Sequence, residues 1–255
     1  MRRVEFIAGP CASGKSTIAL FRLRRAYLAQ GGTPAVMLRT ILQASLGRLK
    51  NRLSCGHDPL EILPTPTWPV AILPAGYVYR VMLQSPGGEL NGLDNKSVAP
   101  SFEFVLRGLL DWMVPQYETV IVDGMPRTRD QVWWIKHRWG NADSPWREQG
   151  TDEIEVHAYF VDCPVGVRMV RLAALGEDMD STRCQRARGA DSDFSELKSV
   201  WVDREKMPAS VTRNKHQDQD LMGVQEPIEA ALDPAFERWA LTRTKEQIWE
   251  SVTKS

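Results

Sequence analysis

The nine residues GPCASGKST, Gly9 to Thr17, fit the spacing G-x-x-x-x-G-K-[ST]. Each position has a chemical reason. Gly9 and Gly14 allow close approaches and backbone conformations that a side chain would block. The successive N–H groups between them, those of Ala12 and Ser13 included, lie at the start of a helix and form a nest for an anion. Lys15 brings a positive charge to the β- and γ-phosphates of a nucleoside triphosphate. The Ser16 hydroxyl is suited to ligate Mg²⁺, and Thr17 completes the binding set. These residues predict a nucleotide site that works with Mg²⁺.

The fate of the γ-phosphoryl group depends on a second stretch, IVDGMPRTRDQ, which ends an apolar run. Asp123 stands where that strand would emerge beside the loop, suited to an outer-shell contact with Mg²⁺. Machines that hydrolyse ATP commonly follow this aspartate with a glutamate that polarises water. Here the next residue is Gly124, which tilts the reading from hydrolase to transferase.

Several elements must hold these residues in place. VEFIA, Val4 to Ala8, reads as a short strand, and KSTIALFRLRRAYLAQ reads as a helix. In that helix Leu20, Leu23 and Tyr27 recur at helical spacing, and Gly31-Gly32 supplies a stop. TVIVDG and EVHAYFVDCP read as further buried strands, with helices in SFEFVLRGLLDWMV and DQVWWIKHRW. The alternation predicts a single α/β domain over residues 1–255 with a parallel central sheet. Residues 56–96 form a Pro-rich insertion in which VAIL-PAG-YVYRVML suggests a β-hairpin. Residues 209–255 read as a mainly helical tail that includes the amphipathic PAFERWALTRTKEQIWESV.

DGMPRTRDQ resembles the D-G-[FY]-P-R-T…Q signature of the adenylate kinase-type nucleoside monophosphate kinases, with Met125 in place of the aromatic. The resemblance implies a three-layer fold of the P-loop kinase type, with an inserted acceptor-side lobe and a short lid bearing arginines. It implies that Arg127 binds the acceptor's phosphate and Gln131 its base. PAVMLRT is similar to the family's T-G-D-x-L-R, so Arg39 becomes a second clamp, although Pro34, Ala35 and Val36 replace the threonine, glycine and aspartate. KSVAPSFEFVLRGLL is similar to the turn and helix that border the acceptor, which puts Val98 near its base. VDCPVGVRMVRLAALGEDMDSTRCQRARGADSD resembles the strand, R-L helix and lid. There Arg171 fits the arginine that packs on the donor, and Arg188 fits the closing arginine, with Asp191 and Asp193 as its acidic pair. Leu175 stands where a second arginine is common. A later helical arginine falls near Lys198, with Arg204 a possible substitute, and the family's last strand has no clear counterpart. The resemblance spans residues 1–55 and 97–208.

It implies transfer of the ATP γ-phosphoryl group to a nucleoside or deoxynucleoside monophosphate, with Lys15, Asp123, Arg127 and Arg188 at the reacting groups. The chemistry is coherent. A monophosphate is already ionised near neutral pH and needs cations more than a base, and arginine's fork suits that task. Two other readings stay open: a P-loop kinase for a polynucleotide 5′ end or small metabolite, and a nucleotide-binding scaffold without turnover.

Composition bounds the rest. Thirty-two basic residues balance thirty-two acidic ones, so no global field favours nucleic acid or an anionic membrane. The four cysteines are far apart and expected to be reduced, and no apolar run is long enough to span a bilayer. A cytoplasmic protein is expected, its oligomeric state open with a monomer slightly favoured. The four histidines show no triad or metal spacing, and Trp133, Trp134, Trp139 and Trp146 are expected to pack rather than stack a base.

Overall fold

The first apolar run forms β1, Arg2–Ala8, whose last five residues are buried. In the computed structural model, residues 2–31, 69–76, 78, 100–140, 154–174 and 176–213 are described. β1 continues into α1, Lys15–Ala29, and the chain then supplies β2, Val70–Pro74. Next come α2, Pro100–Met113, β3, Thr119–Asp123, and α3, Arg129–Ile135, which runs on into a π turn at Lys136–Gly140. β4, Ile154–Asp162, leads to α4, Val165–Ala174, and α5, Thr182–Ser199. A second π turn, Val200–Arg204, precedes β5, Ala209–Arg213.

The five strands form one sheet in the order β2-β3-β1-β4-β5, and every neighbouring pair is parallel. The chain leaves β1 toward β2 on one side and later crosses β1 to reach β4 on the other. The C-terminal end of β1 therefore lies where the winding reverses, the usual place for a ligand crevice in open α/β sheets. Strands covered on both faces read as continuous apolar runs, and all five residues of β2 and of β3 are buried.

Helices cover both faces, giving three layers. On one face α1 buries Ile18, Ala19, Leu23 and Tyr27. On the other, Phe6 and Phe160 meet Trp201 at ring-centroid distances of 5.9 and 6.1 Å, and Phe6 meets Trp139 at 6.4 Å. The Trp201 indole also donates to the Pro208 carbonyl at 3.0 Å, which fixes the turn into β5. Glu5 interrupts the apolar pattern of β1. Its buried carboxylate accepts from Arg22 Nε at 2.8 Å and Nη2 at 2.6 Å, and this bidentate pair fixes where α1 sits on the sheet.

Two expectations change. VAIL does not open a hairpin. Val70–Pro74 pairs in parallel with β3 in the central sheet, and residues 75, 76 and 78 are helical. A short, unbroken apolar run is the signature of a doubly buried parallel strand, and the adjacent Pro-Ala-Gly disguised it as a turn. Residues 209–213 are a strand rather than the start of a helical tail, so the sheet does have a last strand. ASVTR is short, polar and at the sheet edge, where apolar patterning is weakest. The rest of 56–96 and residues 214–255 lie outside the described residues. Among the described residues, no helix is long and apolar enough to cross a membrane.

Candidate functional site

Between β1 and α1 the chain makes a tight loop through Gly9 to Gly14. Ala12 has φ 61° and Gly14 φ 90°, so the loop twice enters the left-handed region while reversing its amides. The Ser13 N–H donates to the Pro10 carbonyl at 3.3 Å, and the Ile18 N–H to Gly14 at 3.2 Å. Gly9 is required by space. A Cβ there would stand 2.7 Å from Ser13 Oγ and 2.8 Å from the Val161 carbonyl of β4. Lys15 Nζ arches back to donate to the Pro10 carbonyl at 3.0 Å, so the ammonium lies over the loop. Such a loop at a helix start is an anion-binding geometry.

The floor of the site comes from β3. Asp123, 1% exposed, accepts a hydrogen bond from Ser16 Oγ at 2.7 Å through Oδ2. Its other oxygen, Oδ1, is buried and has no hydrogen-bond partner among the described residues. A buried carboxylate oxygen left this way is costly unless a donor or cation completes it. Ser16 and Asp123 thus fit a hard cation such as Mg²⁺. No cluster of three or more His, Cys, Asp or Glu side chains among the described residues could hold a metal.

Beyond Asp123 the chain turns at Gly124, φ 92°, whose N–H donates to the Ile7 carbonyl of β1 at 2.9 Å. Arg127 folds back on this turn. Its Nε donates to the Gly124 carbonyl at 2.7 Å, and its backbone N–H donates to Gln131 Oε1 at 2.7 Å. A Cβ on Gly124 would come within 3.1 Å of Arg127 Nη2, so glycine leaves the room that the guanidinium occupies. Thr128 caps α3, its hydroxyl accepting from the Gln131 N–H at 3.2 Å. Arg127 keeps an open surface to solvent. Even so, the protein around its guanidinium strips away enough water to lower its pKa from the usual arginine value; Asp123 opposes that shift and Arg186 reinforces it. Gln131 is 1% exposed, with its amide oxygen spent on Arg127 and its Nε2 buried without a partner among the described residues.

The third wall is α4 and α5. Arg171 Nη1 donates to the Ala12 carbonyl at 3.2 Å and lies 3.6 Å from Cys163 Sγ. It therefore braces the loop from the β4 side. Burial pushes the Cys163 thiol upward in pKa, against the pull of Arg171 and Arg168. Cys184 and Ala187 of α5 are buried with Leu172, and Cys11, Ala12 and Met169 pack against that cluster. The start of α5 thus rests on the glycine loop.

Sequence reasoning assigned the closing arginine to Arg188, which is exposed on α5. Arg186, two residues earlier on the same helix, is exposed as well. Two residues are about 200° apart around a helix, so Arg186 and Arg188 leave α5 on nearly opposite sides. Asp191 pairs with Arg168, and Asp193 is exposed. Arg204 lies beyond α5, 3.5 Å from Glu205. Arg39 and Val98 lie outside the described residues, as does the Thr17 side chain. Among the described residues, Gly9, Ala12, Ser13, Gly14, Lys15, Ser16, Asp123, Arg127 and Arg171 therefore lie together around the loop and the end of β3. No family model matches this chain and no curated protein matches it.

Proposed function

We propose that the protein is a Mg²⁺-dependent phosphotransferase that moves the γ-phosphoryl group of ATP to a nucleoside monophosphate, giving ADP and a nucleoside diphosphate. One observation carries this reading. A phosphate loop, a Ser16–Asp123 pair with a spare carboxylate oxygen, and a braced Arg127 converge at the ends of adjacent parallel strands. The strand order and the helices on both faces are consistent with a three-layer fold of the P-loop kinase type.

In this mechanism the loop N–H groups and Lys15 hold the β- and γ-phosphates, and Lys15 exchanges its bond to Pro10 for the phosphate oxygens. Ser16 and Asp123 would hold Mg²⁺, whose charge would offset that of the phosphates. Arg171 steadies the loop and offers its planar face to the donor nucleotide. On the other side Arg127, held by Gly124 and Gln131, meets the phosphate of the acceptor. An acceptor phosphate oxygen attacks the γ-phosphorus, the bond to the β-bridging oxygen breaks, and ADP leaves with that electron pair. The acceptor is already anionic, so no base is needed. Gly124 rather than a glutamate follows Asp123, which leaves no side chain there to activate water for hydrolysis.

A screen of ribo- and deoxyribonucleoside monophosphates with ATP, read as ADP release, tests the reading. One acceptor or a small related set should raise ADP release by about 100-fold or more over ATP alone. Stimulation by no monophosphate would overturn it. Stimulation by a polynucleotide 5′ end or a small metabolite alone would assign the same site to that acceptor.

A further inference from the structure

Ala12 holds a conformation that alanine ordinarily avoids. Its φ of 61° lies in the left-handed region, where a Cβ crowds the following carbonyl and glycine is the usual choice. It stands third in the four-residue turn that the Ser13 N–H closes on the Pro10 carbonyl at 3.3 Å. The conformation of Ala12 decides which way the next peptide faces, and so which loop amides point at an anion. Something must hold alanine there.

The contact that does so comes from α4. Arg171 Nη1 carries two hydrogens and has two acceptors, the Ala12 carbonyl at 3.2 Å and Cys163 Sγ at 3.6 Å. Cys163 follows directly on β4 and is 1% exposed, so the guanidinium is tied to the end of a buried strand. The same strand end limits the loop at Gly9, where a Cβ would stand 2.8 Å from the Val161 carbonyl. β4 thus fixes the start of the loop by close contact and, through Arg171, its middle by a charge-assisted hydrogen bond. A carbonyl drawn out to Arg171 does not turn inward, where its negative end would repel a phosphate.

We infer that Arg171, anchored by Cys163, is a positioning residue that holds Ala12 in its left-handed conformation and so presets the loop amides for phosphates, whatever base the nucleotide carries. The inference rests on the phosphotransferase reading only in taking the loop as a phosphate site, and it makes no use of the acceptor.

Calorimetric titration of the full chain with Mg²⁺ and inorganic tripolyphosphate, which has phosphates and no base, tests it beside the same titration with Mg·ATP. Arg171→Met should raise the tripolyphosphate Kd by about tenfold, the loss of one charged hydrogen bond. Ala12→Gly alone should stay within about twofold of wild type. Added to Arg171→Met, it should recover about threefold or more, because glycine enters the left-handed region unaided. Arg171→Lys keeps the charge but not the fork and should fall between wild type and Arg171→Met. If Arg171→Met fails to fold, Arg171→Lys carries the test, with the same recovery by Ala12→Gly. Tripolyphosphate binding indifferent to Arg171→Met, with ATP alone weakened, would overturn the inference and leave Arg171 to the base. A double variant no better than Arg171→Met would overturn it too. Wild-type protein that shows this binding pattern but transfers phosphate to no acceptor would overturn the phosphotransferase reading and leave the positioning role standing. Wild-type protein that binds neither ligand would overturn both.

Discussion

The glycine loop between β1 and α1 and the α4–α5 arm both carry cationic side chains, but they are built by different physics. In the loop, backbone conformation does the work. Gly9 has no room for a Cβ, Ala12 and Gly14 have positive φ, and Ser16 meets Asp123 from the neighbouring strand at 2.7 Å. Consecutive residues are locked to consecutive positions in space. In the arm, arginines project from a mostly exposed helix, and which of them faces the site depends on how that helix is rolled. Cys184 and Ala187 against the loop, Phe194 and Leu197 in the main core, and the Arg168–Asp191 ion pair set that roll. A loop of the first kind is legible as a spacing, whereas a helix of the second kind is legible only once its neighbours are known.

The largest expected effect belongs to the loop. Lys15→Ala should reduce phosphoryl transfer by about 10³-fold or more and sharply weaken Mg·ATP binding, because no other loop side chain brings a charge to the β- and γ-phosphates. Near-normal turnover in that variant would remove the loop from the chemistry. Next comes Arg127→Ala, expected to lower kcat/KM for the acceptor by about 10²- to 10³-fold with ATP affinity nearly unchanged. An equal loss of ATP affinity would move Arg127 to the donor side.

The two regions should also differ in what a small change does to folding. Gly9→Ala drives a methyl against Ser13 Oγ and the Val161 carbonyl and should cost about 1–3 kcal/mol in denaturant unfolding. Gly189→Ala in α5 meets nothing within 4 Å and should stabilise the helix by up to about 1 kcal/mol. Equal midpoints for the two would erase the contrast.

How much was legible follows from the same contrast. Val4 to Ala8, Thr119 to Asp123 and the loop between β1 and α1 were readable because buried strands and glycine loops leave local patterns. Val70–Pro74 was misread because a doubly buried strand lacks alternation, and its neighbours Pro74, Ala75 and Gly76 imitate a turn. ASVTR was missed because an edge strand can be polar. Asp123 and Arg127 stand out through DGMPRT, which is contiguous, and the fold brings Asp123 onto Ser16 of the loop. QRARGADSD offers two arginines, Arg186 and Arg188, at nearly opposite helix angles and no local signal to choose between them. Arg168 was passed over because an arginine in the first turn of a helix ordinarily points to solvent, and only the packing of α4 on α5 buries it.

The most direct test of the central claim follows the labelled γ-phosphoryl group itself. Protein incubated with Mg²⁺, γ-labelled ATP and the set of nucleoside monophosphates should pass the label into a nucleoside diphosphate, with little inorganic phosphate, and Lys15→Ala should abolish that product. Label found only as inorganic phosphate, or left wholly in ATP with every monophosphate, would contradict the account.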